Sequence, residues 1–282
     1  MHLASMLPLE SWPLIERSRI FGVFTDIDDT LTTDGLITRN VLSALGCLKD
    51  AGLHVIAITG RPVGWSLPFA LSWPVDAIVP ENGSVALVRE TAHSPHGEVP
   101  VGVRHMYQQD VTTRRQNLVR MHQVAQRVLR EVPGSTLAQD SAGRETDIAI
   151  DHSEFAHLST SDIARVVAIM QSEGMSATVS SIHINAWYGG HNKLEGARWI
   201  VRELYGRNLD DERRRWVYVG DSTNDQLMFE SFENSVGVAN IRRFLSDLTH
   251  LPRYVTPSER GAGFCEMADL LLQAKRPRSN QG

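Results

Sequence analysis

Two acids, Asp26 and Asp28, stand one residue apart where the apolar run Phe21-Gly22-Val23-Phe24 breaks off. Such a run fits a buried parallel strand, and ligands of open α/β sheets gather outside the carboxyl ends of their strands. Carboxylates paired there repel one another and lose hydration, so they call for a compensating cation or proton; a divalent metal would supply it. A second apolar run, 53–58, ends in Thr59-Gly60-Arg61, and Trp216-Val217-Tyr218-Val219 ends in Gly220-Asp221-Ser222-Thr223-Asn224-Asp225. Each piece alone has a plain reading. Strand-end acids serve turns and caps, Asp221 and Asp225 suit a helix N-terminus, and Lys193 suits a surface lysine covering apolar neighbours.

Taken in order, Asp26-x-Asp28-x-Thr30, Thr59, Lys193 and Gly220-Asp221-x-x-Asn224-Asp225 resemble the successive signatures of the haloacid dehalogenase superfamily of phosphotransferases, across residues 21–268. The resemblance implies that Asp26 attacks phosphorus and forms an aspartyl-phosphate. Asp28 would protonate the leaving group and then deprotonate water, while Thr59 and Lys193 hold phosphate oxygens. Mg2+ would be held by the Asp26 carboxylate, the Asp28 backbone carbonyl and Asp221, with Asp225 in support. Gly60, Arg61, Asn82 and Asn224 are the further residues expected at the substrate. Asp29 departs from the pattern, standing where many relatives have glycine. It is expected to be a turn residue, since Asp tolerates left-handed geometry.

Positioning these residues requires a sheet. Thr38 is placed to cap a helix carrying Val41, Leu42, Leu45 and Leu48, which Gly52 ends. Further strands are expected at 77–80, 216–220, 235–238 and 253–256, and the β-α-β order predicts a parallel sheet. Between them lies an insertion. It reads as strands at 85–89 and 101–105, then a helix with Leu118, Met121, Ala125, Val128 and Val132, then a pair of strands. A second helix, with Ile163, Val166, Val167 and Met170, leads to strands at 177–180 and 182–187. The class is therefore α/β: a Rossmann-like parallel-sheet core, residues 1–83 and 189–282, with an inserted α+β cap domain, residues 84–188. The resemblance makes this a type II cap, as in Cof-like and sugar-phosphate phosphatases; Arg144, Asp147, His183, Asn185 and His191, polar residues beside its candidate strands, suit either a structural role or substrate contact. Residues 273–282 read as a polar tail.

Composition narrows the partners. With 22% charged residues and a net charge of −5, the chain of 282 residues has no global attraction for nucleic acid or anionic membrane. No run approaches the ~20 apolar residues of a membrane span, and residues 1–8 lack the basic start of a signal peptide, so a cytoplasmic location is expected. No zinc-type Cys/His cluster is present, and no phosphate-cradling glycine loop follows a strand, which disfavours nucleotide-dependent phosphorylation. The expected function is Mg2+-dependent hydrolysis of a small phosphorylated metabolite, a phosphosugar by family analogy. A phosphomutase would use the same aspartyl-phosphate, and a binding module derived from a phosphatase is the other rival. The intact motifs argue against the module, and none of them separates water from sugar as the acceptor.

Overall fold

The computed structural model describes residues 6–94 and 97–275. The chain forms two compact units, the first of Met1–Ala57, Trp73–Asp76 and Asn208–Gly282, the second of Ile58–Ser72 and Ala77–Arg207. The insertion read at 84–188 lies within the second unit.

In the first unit parallel strands run in the order Leu7–Pro8, Tyr254–Val255, Ser235–Gly237, Trp216–Gly220, Gly22–Thr25 and His54–Ile58. Gly22–Thr25 is buried at every position, as an apolar run in a parallel sheet should be. Trp216 stacks on Phe24 with ring centroids 4.4 Å apart. Thr38 caps the helix Arg39–Asp50, its hydroxyl accepting from the Val41 N–H at 3.4 Å, and Val41, Leu45 and Leu48 are buried. That helix packs on Arg260–Lys275. The latter helix takes in residues 273–275 of the expected polar tail; the rest of that tail lies outside the described residues. The strand Leu7–Pro8 had no signal in the sequence, because two residues are too few to show a period.

In the second unit Ala77–Val79 pairs antiparallel with Val85–Ser94, which pairs antiparallel with Gly97–Tyr107. The strands expected at 85–89 and 101–105 are thus the inner halves of one longer hairpin. Among the described residues a four-stranded sheet has the order Ser176–Val179, His183–Trp187, Ile148–Asp151, Thr136–Leu137, antiparallel throughout. Ile148, Ile150, Ile184 and Ala186 bury one face of it against Val124 and Val128 of the helix Val111–Glu131 and Val166 and Met170 of Thr160–Ser172. Because strand side chains alternate, Asp147, Ala149, His183 and Asn185 fall on the other face. The α/β class holds, with a parallel-sheet core and an inserted α+β layer.

Candidate active site

The acids of the first unit are placed by neighbouring strand ends. Gly22–Thr25 and Trp216–Gly220 pair in parallel with Thr25 opposite Val219, so Asp26 and Asp221 both emerge at the carboxyl edge. The Asp26 N–H donates to the Val219 carbonyl at 2.9 Å, and its Oδ1 accepts from the Ile27 N–H at 2.8 Å. Ligand atoms of Asp26, Asp221 and Asp225, all buried, lie within 4.8 Å of one another. Hard oxygen donors gathered so closely suit a divalent cation. Asp28 is half-buried in the following turn, and Asp29 adopts φ 52 there, the left-handed geometry expected of it.

Asp225 has a different environment from the other two. One of its oxygens accepts from the Tyr218 phenol, and the other accepts from the N–H groups of Asp221 at 2.9 Å and Ser222 at 3.2 Å. Burial, followed by the charge of Asp225, pushes the Tyr218 phenol well above its ordinary pKa, so it stays a donor. A side chain at position 220 would meet the Asp225 carboxylate at 2.4 Å, which is why a glycine precedes Asp221. Asp221 in turn accepts from the Asn240 amide at 2.9 Å and from the Thr30 hydroxyl at 3.4 Å. Asn224, half-buried, accepts at its side-chain oxygen from the Ser222 hydroxyl at 3.0 Å.

The second unit holds Thr59, Gly60, Arg61, Asn82 and Lys193. Thr59 is fully buried; its hydroxyl accepts from the Arg61 N–H at 3.1 Å and its carbonyl from the Asn82 N–H at 2.9 Å. The turn of Glu81, Asn82 and Gly83 has positive φ at all three residues. Lys193 is buried at the first position of the helix Lys193–Tyr205, where Asn192 caps the Leu194 and Glu195 N–H groups at 2.9 and 3.0 Å. A cation opposes the helix dipole at that end, so helix stability does not account for it. A Cβ at Gly83 would stand 2.4 Å from the Asn192 carbonyl; the glycine lets the turn and the helix start touch through their backbones.

The polar face of the four-stranded sheet reaches this same loop. The Gly60 carbonyl accepts from Arg144 at 3.0 Å and from the Asn185 amide at 3.3 Å, and both donors also bond Asp147, at 2.7 and 3.0 Å. Arg61 pairs with Asp140 at 3.2 Å and Glu154 at 2.9 Å, and His183 with Glu154 at 2.8 Å. Burial pushes the Asp147 carboxyl up to about 7, against the pull of Arg144. The hydrogen bond from His183 leads in drawing Glu154 down to about 2. His191 stacks on Trp187 at 5.3 Å, and burial lowers it to about 4.

Glu81 follows a strand end, which marks it in the sequence for the cleft or for a turn, whereas Asn240 and Tyr218 carry roles that the sequence reading does not assign. Glu81 is fully buried, its carboxylate accepting from the N–H groups of Val63 at 3.1 Å and Glu145 at 3.0 Å and from Thr146. It ties the start of the helix Val63–Ser72 to the segment bearing Arg144 and Asp147. Asn240 follows the strand Ser235–Gly237, so the strand-end rule pointed to it; Tyr218 lies within an apolar strand and gave no signal beyond its hydroxyl.

Residues 23–96 match the family model of haloacid dehalogenase-like hydrolases. No curated protein matches the sequence. Among solved structures, one from Thermoplasma acidophilum has a TM-score of 0.63 at 16% identity, covering 89% of this chain and 98% of that one. The sucrose-phosphatase of Synechocystis, solved with sucrose and phosphate, has a TM-score of 0.61 at 15% identity, covering 89% and 97%. A Plasmodium vivax protein described as a HAD/Cof-like hydrolase has a TM-score of 0.61 at 15% identity, covering 93% and 99%.

Proposed function

We propose that this chain, a haloacid dehalogenase-like hydrolase and so an enzyme, is a cytoplasmic, magnesium-dependent phosphatase acting on a small phosphate monoester of the phosphosugar class. The observation that carries the reading is the triple of buried carboxylates at two adjacent parallel strand ends, Asp26 with Asp221 and Asp225. Asp26 and Asp221, with the Asp28 carbonyl, would hold Mg2+, which when bound neutralises phosphate charge. The phosphosugar class is supported by the fold shared with sucrose-phosphatase. Among the described residues no helix is long and apolar enough to cross a membrane.

The chemistry falls to the chain's own groups. An Asp26 oxygen attacks phosphorus while the bond to the leaving oxygen breaks, and Asp28 gives that oxygen its proton. The carboxylate left on Asp28 then takes a proton from water. The water oxygen attacks the phosphorus, the bond to Asp26 breaks, and inorganic phosphate departs. Thr59 and Lys193 hold phosphate oxygens, and Asn82 and Asn224 orient the ester. Phosphate release is the test: a screen of phosphosugars in water enriched in heavy oxygen should give free phosphate in step with substrate loss, carrying one solvent oxygen. Isomerised sugar phosphate with negligible free phosphate would overturn the hydrolase reading in favour of a mutase.

A further inference from the structure

In the second unit, the guanidiniums beside the Thr59-Gly60-Arg61 loop are already opposed by acids. Arg61 bonds Asp140 and Glu154, and Arg144 bonds Asp140 and Asp147. Two carboxylates, Asp140 and Glu154, therefore oppose the two guanidiniums, with the Asp147 acid beside Arg144 and Glu81 behind it. The layering matters as much as the count. The side chains of Arg61 and Arg144 are only 7% and 2% exposed, whereas Asp140 and Glu154 are 13% and 23% exposed. The two acids are thus the less covered partners in this network.

A separate observation marks the loop as built for a ligand. The Asn82 amide nitrogen is buried and makes no hydrogen bond, although the residue is only 2% exposed. A Cβ built at Gly60 would lie 3.5 Å from that amide and 3.1 Å from the Asn185 side-chain oxygen, so Asn82 stands against the loop. A buried donor left unpaired is costly, and an oxygen arriving from a substrate would satisfy it. The donor is neutral. Arg144 also has an unpartnered Nε, but its charge is opposed by Asp140 and Asp147.

We infer that the substrate carries its single phosphate as its only anionic group, and that the part meeting the Asp140–Glu154 face is neutral and hydroxyl-bearing. Hydroxyls can donate to Asp140 and Glu154 and accept from Asn82. A second phosphate or a carboxylate there would stand against two acids whose guanidinium partners are already engaged, a built-in exclusion of metabolites with a second anionic group. The inference rests on the phosphatase reading and narrows its substrate class.

The test is binding, measured by calorimetry on the full chain carrying Asp26→Asn with magnesium present, so that nothing turns over. Fructose 6-phosphate and fructose 1,6-bisphosphate form one pair; glucose 6-phosphate and 6-phosphogluconate form the other. The singly anionic member of each pair should bind at least roughly tenfold more tightly. Asp140→Asn and Glu154→Gln, each added to the same background, should shrink that ratio severalfold, because charge and not size sets it. Equal or tighter binding of the doubly anionic members, binding of none of the four, or a ratio unmoved by both variants would overturn the inference. Phosphate release from 4-nitrophenyl phosphate by the unaltered chain keeps the two readings apart. Release with equal binding sinks the inference alone, and the expected binding order without any release sinks the phosphatase reading alone.

Discussion

Asp26 and Asp225 share a cluster, yet their hydrogen bonds assign them different work. Both Asp225 oxygens accept from protein donors, so it is a brace that fixes the turn carrying Asp221. Asp26→Asn keeps the side-chain shape and removes the charge that the proposed nucleophile and metal ligand would carry. It should lower turnover by roughly a thousandfold or more, with an unchanged circular dichroism spectrum. A folded variant retaining a tenth of the activity would remove Asp26 from the nucleophile's role. Tyr218→Phe deletes one donor to the brace and nothing at the substrate. Mg2+ affinity, titrated calorimetrically, should weaken by about tenfold, as when outer partners of metal ligands are lost. Unchanged affinity would show that the phenol merely packs.

Elements carry these residues, and their legibility followed from their surroundings. Gly22–Thr25 and Trp216–Gly220 were readable because a fully buried parallel strand is mostly apolar, and here each run stops within two residues of an acid. The helices Val111–Glu131 and Thr160–Ser172 were readable from one buried stripe each. The helix Val63–Ser72 was not, since it has Pro68 in its interior and apolar residues on several sides, which blurs the helical period. The outer half of the hairpin strand Val85–Ser94 also escaped, because the Arg89-Glu90-Thr91 stretch has lost the apolar side chains that mark a buried strand. The Lys193 helix depends on a contact that sequence shows only as a glycine. At Gly83, with φ 103, an alanine would be strained and would strike the Asn192 carbonyl. Gly83→Ala should cost about 1–3 kcal/mol in urea unfolding and raise KM, because Lys193 shifts with the helix start. A variant as stable as the parent, with an unchanged KM, would show that the turn yields freely.

At the scale of the whole molecule the motif residues were legible and the network around them was not. Asp26, Asp221 and Lys193 announce themselves by place along the chain. Asp140 and Glu154, by contrast, acquire meaning only when folding sets them beside Arg61, 79 and 93 positions away in sequence. Two buried groups, Asp147 in this network and His191 outside it, make stability depend on pH in opposed ways. Asp147 has an ordinary value of 3.8 and is raised to about 7 by burial. Between those values the folded chain binds the proton that the unfolded chain has released, so this group's contribution falls as pH rises. His191 has an ordinary value of 6.5 and is lowered to about 4 by burial. Across that window the unfolded chain binds the extra proton, so this contribution rises with pH and is lost on acidification. Each changes stability by up to ~1.4 kcal/mol per pH unit, and between pH 4.5 and 6.5 the two offset one another. The slope of urea midpoint against pH in the unaltered chain should therefore lie between the slopes left when either group is removed. Asp147→Asn should tilt the plot toward a midpoint that climbs with pH, and His191→Phe, which keeps a ring on Trp187, should tilt it the other way. The comparison is of slopes within each variant, so an overall loss of stability in either does not blur it. Parallel slopes in all three proteins would mean that neither group stays in its unusual protonation state on folding.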